Sequence, residues 1–93
     1  MVVMILENVT PSLRGEITRW MIQPKAGVFV GKLSGMVRDR LWERARKAAR
    51  GGSGILLHSS NTEQGFAVQS FGDPSRHLID IEGLILSRMP SKG

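Results

Sequence analysis

Residues 2–6 read VVMIL, an unbroken apolar run rich in β-branched side chains. As a strand, such a run has no face to offer water, so it must be buried on both sides. It turns polar at Glu7-Asn8, which places the end of the strand within residues 2–9. The next segment is helical. Thr10 suits an N-cap and Pro11 the first helical position. Leu13, Ile17, Trp20 and Met21 then recur at helical spacing, which predicts an amphipathic helix over residues 11–22 with Trp20 in the core. Gln23-Pro24-Lys25 breaks it. Residues 27–31, GVFVG, form a short strand bounded by glycines.

Ser34 caps a second helix. Its buried stripe is Val37, Leu41, Ala45, Ala48 and Ala49, with Trp42 beside it, and Gly51-Gly52 stops it. Glu43 and Lys47 form an i,i+4 pair on its surface. Residues 54–60, GILLHSS, make a third strand, and the turn NTEQG joins it to residues 66–71, FAVQSF. A second turn covers residues 72–75. Residues 78–81 form a short strand, Gly83 breaks it, and residues 84–87, LILS, form a last apolar strand before a frayed tail at 88–93. The order is strand–helix–strand, strand–helix–strand–strand. It predicts an α+β fold of the ferredoxin-like βαββαβ type with an additional C-terminal strand.

A chain of 93 residues supports one domain, residues 1–93, with a small core and marginal stability. Oligomerisation would help it. The strand Leu84 to Leu86 is left over after one four-stranded sheet, and an unpaired edge invites a partner, so a homodimer is the expected unit. There is no cysteine, which excludes disulfide scaffolds, thiolate zinc sites and cysteine nucleophiles. Two histidines, His58 and His77, argue against a multi-histidine metal site in one chain. No apolar run reaches the ~20 residues of a membrane span. The first residues lack a basic region and a cleavage site, so a cytoplasmic location is expected.

The charge is the positive clue. Thirteen basic residues against eight acidic give +5, and nine of the thirteen are arginine. The arginine fork suits phosphate, and a basic domain of this size suits nucleic acid. Residues 34–50 alone carry six basic and two acidic residues, a local charge of +4. The predicted strands at 2–8 and 54–60 contain no aromatic residue for base stacking, which argues against an RNA-recognition sheet.

Several spaced fragments occur together: ENV-x-P-x-LRG at residues 7–15, Trp20, AGVFVG at 26–31, Ser34, Arg38, Trp42-Glu43, NTE-x-GF at 61–66, Q-x-FG at 69–72 and D-x-x-GL at 80–84. The ordered set resembles the second universal CRISPR adaptation protein in its type I-E branch. The resemblance implies a ferredoxin-like homodimer at the centre of a spacer-integration complex. Integrase dimers flank it and perform the transesterification, while the small dimer bridges them and binds the protospacer duplex. Many relatives are also metal-dependent endonucleases, acting on RNA or duplex DNA with Mg²⁺.

The same resemblance implies candidate sites. Glu7 closes the first strand where other branches carry aspartate. Two such carboxylates across a dimer axis would share a Mg²⁺ and activate a water; alternatively, Glu7 only favours the start of the helix after it. Arg14, expected in the first turn of that helix, and Arg76, in the turn after Gly72, match phosphate-contact positions. Ser12, Ser75 and His77 stand where some relatives are basic, so Arg38 and Arg40 on the second helix become further phosphate candidates. Leu84, Ile85, Leu86, Arg88 and Met89 match the segment that docks the integrase subunit. Glu63, Asp80 and Glu82 are candidate auxiliary ligands, and His58 a candidate base, although a satisfied strand histidine is the commoner outcome.

Overall fold

The structure, a computed structural model, describes residues 1–49, 52–61 and 63–72. These residues form β1 (Val2–Leu6), α1 (Pro11–Ile17), β2 (Ile22–Lys25), β3 (Val28–Gly31), α2 (Gly35–Ala48), β4 (Gly54–Ser59) and β5 (Phe66–Phe71). The sheet order is β2-β3-β1-β4-β5, and every neighbouring pair is antiparallel. Each helix therefore crosses over one strand: β3 lies between β1 and β2, and β1 lies between β3 and β4. Two interleaved split βαβ units of this kind make the ferredoxin-like fold, with β5 added at the β4 edge.

β1 occupies the centre and is buried along its whole length, as an all-apolar strand requires. Its alternate residues serve two faces. Val2, Met4 and Leu6 join Leu13 and Ile17 of α1 and Leu41, Trp42 and Ala45 of α2 in the main core. Val3 and Ile5 join Ile55 on the opposite face, flanked by Val28, Val30 and Leu57. Met4 lies opposite Phe29 on one side and Leu56 on the other, and all three are fully buried.

Three expectations change. α1 ends at Ile17, not near residue 22. Thr18 caps it, its N–H and its Oγ1 both donating to the Arg14 carbonyl at 2.9 and 2.8 Å. Gln23-Pro24-Lys25, expected as a breaker, belongs with Ile22, expected as the helix end, to strand β2. Pro24 is tolerated there because an edge strand can spare a donor, and the pairing with β3 shifts register between Ile22 and Lys25. Trp20, expected in the core, is 53 % exposed, while Met21 beside it is buried. With the helix ended, residues 18–20 form a turn, in which Trp20 is left exposed while Met21, bonded back to the Ile17 carbonyl at 3.0 Å, returns to the core.

The second helix agrees with expectation. The Ser34 Oγ accepts from the Val37 N–H at 3.2 Å, and Trp42 is buried against Phe71 with ring centroids 5.1 Å apart. The expected strands at 78–81 and 84–87 lie outside the described residues, as do Arg76, Leu84, Ile85, Leu86, Arg88 and Met89. The added strand the structure does describe is β5.

Gly27 makes the β2–β3 turn possible. Its φ is +78°, and a Cβ there would sit 2.6 Å from the Leu6 carbonyl oxygen. Its own carbonyl accepts from the Leu6 N–H at 2.8 Å, so the turn cannot simply swing away. Gly27→Ala is expected to cost about 1–3 kcal/mol, from the left-handed backbone and the clash together. A urea midpoint measured beside the parent checks it, and an unchanged midpoint refutes it.

Candidate nucleic-acid interface

The two helices cover one face of the sheet and carry most of the charge. Which arginines are available for a ligand depends on which are already paired. Arg44 of α2 reaches across to Glu16 of α1, its Nε and Nη2 donating to one carboxylate oxygen at 3.0 and 2.6 Å. Arg46 donates to Glu43 at 2.7 to 3.3 Å. Glu43 thus pairs at i,i+3 with Arg46, not at i,i+4 with Lys47 as expected. The hydrogen bond and charge of Arg46 hold the Glu43 carboxyl below its ordinary pKa, and Glu43 in turn raises Arg46.

Arg38 is also engaged. Its Nε donates to Asp39 at 3.0 Å, and its Nη1 lies 3.2 Å from His58 Nδ1 on β4. The same His58 nitrogen lies 2.9 Å from the Ser59 carbonyl oxygen. It accepts from Arg38 in one tautomer and donates to Ser59 in the other. His58 is therefore a partnered strand histidine on either assignment, and Arg38 is held by two neighbours, Asp39 and His58.

Three arginines have no ion pair among the described residues: Arg14, Arg19 and Arg40, all exposed. The sequence pattern puts Arg14 in the first turn of its helix, against the helix dipole. In the shorter α1 it stands in the last turn, where a cation is on the favourable side. Its side chain is exposed there. Arg40 faces away from Arg38: it lines a groove between α1 and α2 together with Arg19 and Trp20. Sequence reasoning does not single out Arg19. A correct α1 terminus would have found it, because a residue just past the last turn leaves the buried stripe.

Glu7 comes directly after β1 and is half-buried. Its N–H donates to the Ser53 carbonyl at 2.9 Å, and its Oε1 accepts from the Ser53 hydroxyl at 3.1 Å. Ser53 is only 2 % exposed, and a buried hydroxyl needs such a partner. Glu7 thus satisfies a buried donor. Asn8 then turns the chain with φ +66°. Among the described residues no group of three or more His, Asp or Glu side chains converges on a common point. Among the described residues Glu7 has no second carboxylate beside it with which to make a Mg²⁺ site. Glu63 is exposed in the β4–β5 turn, and Asp80, Glu82 and His77 lie outside the described residues.

No helix among the described residues is long and apolar enough to cross a membrane. The described surface is instead a basic helical layer on a ferredoxin-like sheet. Comparison with protein families finds the CRISPR-associated protein family Cas_Cas2CT1978 over residues 1–86, a span that includes β1 through β5. The chain belongs to that family, and its place is in CRISPR systems.

Proposed function

We propose that the chain is an adaptation subunit: a homodimer that binds protospacer duplex without sequence preference and bridges integrase dimers during spacer acquisition. The match over residues 1–86 carries the reading. Arg14, exposed and with no ion pair among the described residues, supports it, since phosphate is the ligand that free arginine forks take best. Arg76, in the segment after Gly72, is the second phosphate contact. Leu84, Ile85, Leu86, Arg88 and Met89 supply the integrase-docking segment by strand addition. Catalysis belongs to the partner, and the hydrogen bond from Ser53 gives Glu7 a structural task that needs no Mg²⁺.

Reconstitution tests this directly. The full chain, mixed with the integrase subunit and a duplex of arbitrary sequence, is expected to co-elute as one complex. A chain truncated after Ser87 should keep its dimer and lose the integrase. Glu7→Ala should leave duplex binding and spacer integration largely intact. Failure to form the ternary complex rejects the reading. Mg²⁺-dependent cleavage that disappears in Glu7→Ala, together with integration, moves the function to a nuclease.

A further inference from the structure

Between α1 and α2 runs an open groove of about 520 Å³. Its walls combine two features that solvated surfaces rarely bring together. Trp20 is 53 % exposed and Met36 is 74 % exposed, and both line it, over a floor that includes Val37 and Leu41. Arg19 and Arg40 line it as well, and neither has an ion pair among the described residues. Among the described residues the one acid in the groove, Glu16, is already held by Arg44 at 2.6 Å. The groove therefore brings exposed apolar side chains together with two guanidinium groups that have no ion pair among the described residues.

The exposure does not come from a loose segment. The Arg19 N–H donates to the Glu16 carbonyl at 3.3 Å and the Trp20 N–H to the Ile17 carbonyl at 2.9 Å. These bonds continue the end of α1 into a fixed turn and hold the indole at the groove. Leaving a tryptophan and a methionine in water forfeits the gain of burying them, and contiguous exposed apolar surface usually marks an interface. Trp, Met and Arg are the residues enriched at protein interfaces, and Trp and Arg dominate their binding energy.

The geometry points to a docking site for a protein partner that presents an apolar side chain flanked by carboxylates. The apolar side chain covers Trp20 and Met36, and the carboxylates take the forks of Arg19 and Arg40. A nucleobase fits less well. Among the described residues Trp20 is the only aromatic one in the lining, and Met36, Val37 and Leu41 offer aliphatic contact where a base needs a second π-face. The site goes beyond the duplex reading: it leaves the two proposed contacts Arg14 and Arg76 untouched and takes Arg40, a phosphate candidate by sequence, for a carboxylate.

The test uses the full chain and a fluorescein-labelled peptide carrying leucine and phenylalanine among glutamates. The comparison peptide has lysine in place of each glutamate. The glutamate peptide is expected to bind by anisotropy and to shift tryptophan emission. Trp20→Phe should abolish the shift, since Trp42 is buried and reports nothing of the groove. Arg19→Glu with Arg40→Glu should weaken binding by about tenfold or more, with circular dichroism unchanged. Equal binding of the lysine peptide overturns the proposal, as does binding that ignores the arginine reversals. A single-stranded oligothymidylate that quenches Trp20 where the peptide does not would overturn it too and assign the groove to nucleic acid.

Discussion

Arg14→Ala combined with Arg76→Ala is expected to flatten the salt dependence of duplex binding by about 3.6 units in a log–log plot. In a two-fold dimer each arginine counts twice, giving four phosphate contacts, and each neutralised phosphate contributes a slope of about −0.9. Between 50 and 200 mM salt those four contacts account for roughly a 150-fold loss of affinity in the parent. The double variant should therefore bind more weakly at low salt and respond far less to added salt. The effect should be the same on duplexes of unrelated sequence, because backbone contacts carry no sequence information. Arg46→Ala is the control. That arginine is already paired with Glu43, so its loss should leave the slope unchanged. Arg14 is exposed and outside the buried set of α1, and its removal costs the helix at most about 1 kcal/mol. A slope that stays put in the folded double variant would place the phosphate contacts elsewhere.

Phe29→Ala should be the most damaging single change to stability. A 93-residue domain has about 5–14 kcal/mol in total. Deleting a fully buried phenylalanine costs roughly 3–5 kcal/mol from lost transfer energy and the void left behind. Phe29 sits opposite Met4, with Leu56 on the far side of the same row. Met4 is unbranched and can swing part of the way into the void, which sets the expected value near the lower end of that range. For a domain of this size the melting temperature should then fall by about 12 °C or more. Ile22→Ala, on the edge strand and 69 % exposed, should move it by only a degree or two. A small shift for Phe29→Ala would mean that the helical layer is not what holds the sheet.

The architecture is legible in the sequence where the pattern is dense. Val2 to Leu6 can only be a buried strand. Ser34, with the stripe of Val37, Leu41 and Ala45, can only be a capped amphipathic helix. The first helix is harder. Trp20 and Met21 continue the spacing of Leu13 and Ile17, so the pattern alone extends the helix by more than a turn. Thr18 ends it by bonding back to Arg14, an effect that leaves no periodic signature. Pro24 then argues for a break, although on an edge strand a missing N–H does no harm. The candidate site inherits that error. Arg14 is named from the resemblance and expected in the first turn, whereas the shorter helix puts it in the last; Arg19 goes unassigned, and Trp20 is read as core. Arg38 and Arg40 are neighbours in sequence terms but not on the helix surface. A spacing of two puts them on opposite faces of a helix, but what each face meets, His58 for one and the α1 groove for the other, depends on packing that spacing does not encode.

The position of β1 also bears on the order in which this protein can assemble during synthesis. β1 is made first among the strands, yet both of its neighbours come later: β3 at residues 28–31 and β4 at residues 54–59. When β3 emerges from the ribosome it can cover one side of β1, while the other side stays open until β4 has been translated. Five consecutive apolar residues thus wait, half-paired, through the synthesis of all of α2. Pairings between residues this far apart in sequence form late and slowly, and an exposed apolar strand is a place for misassembly in the interval. The nascent chain is most at risk just before residue 54, and a slowing of translation there would lengthen that exposure.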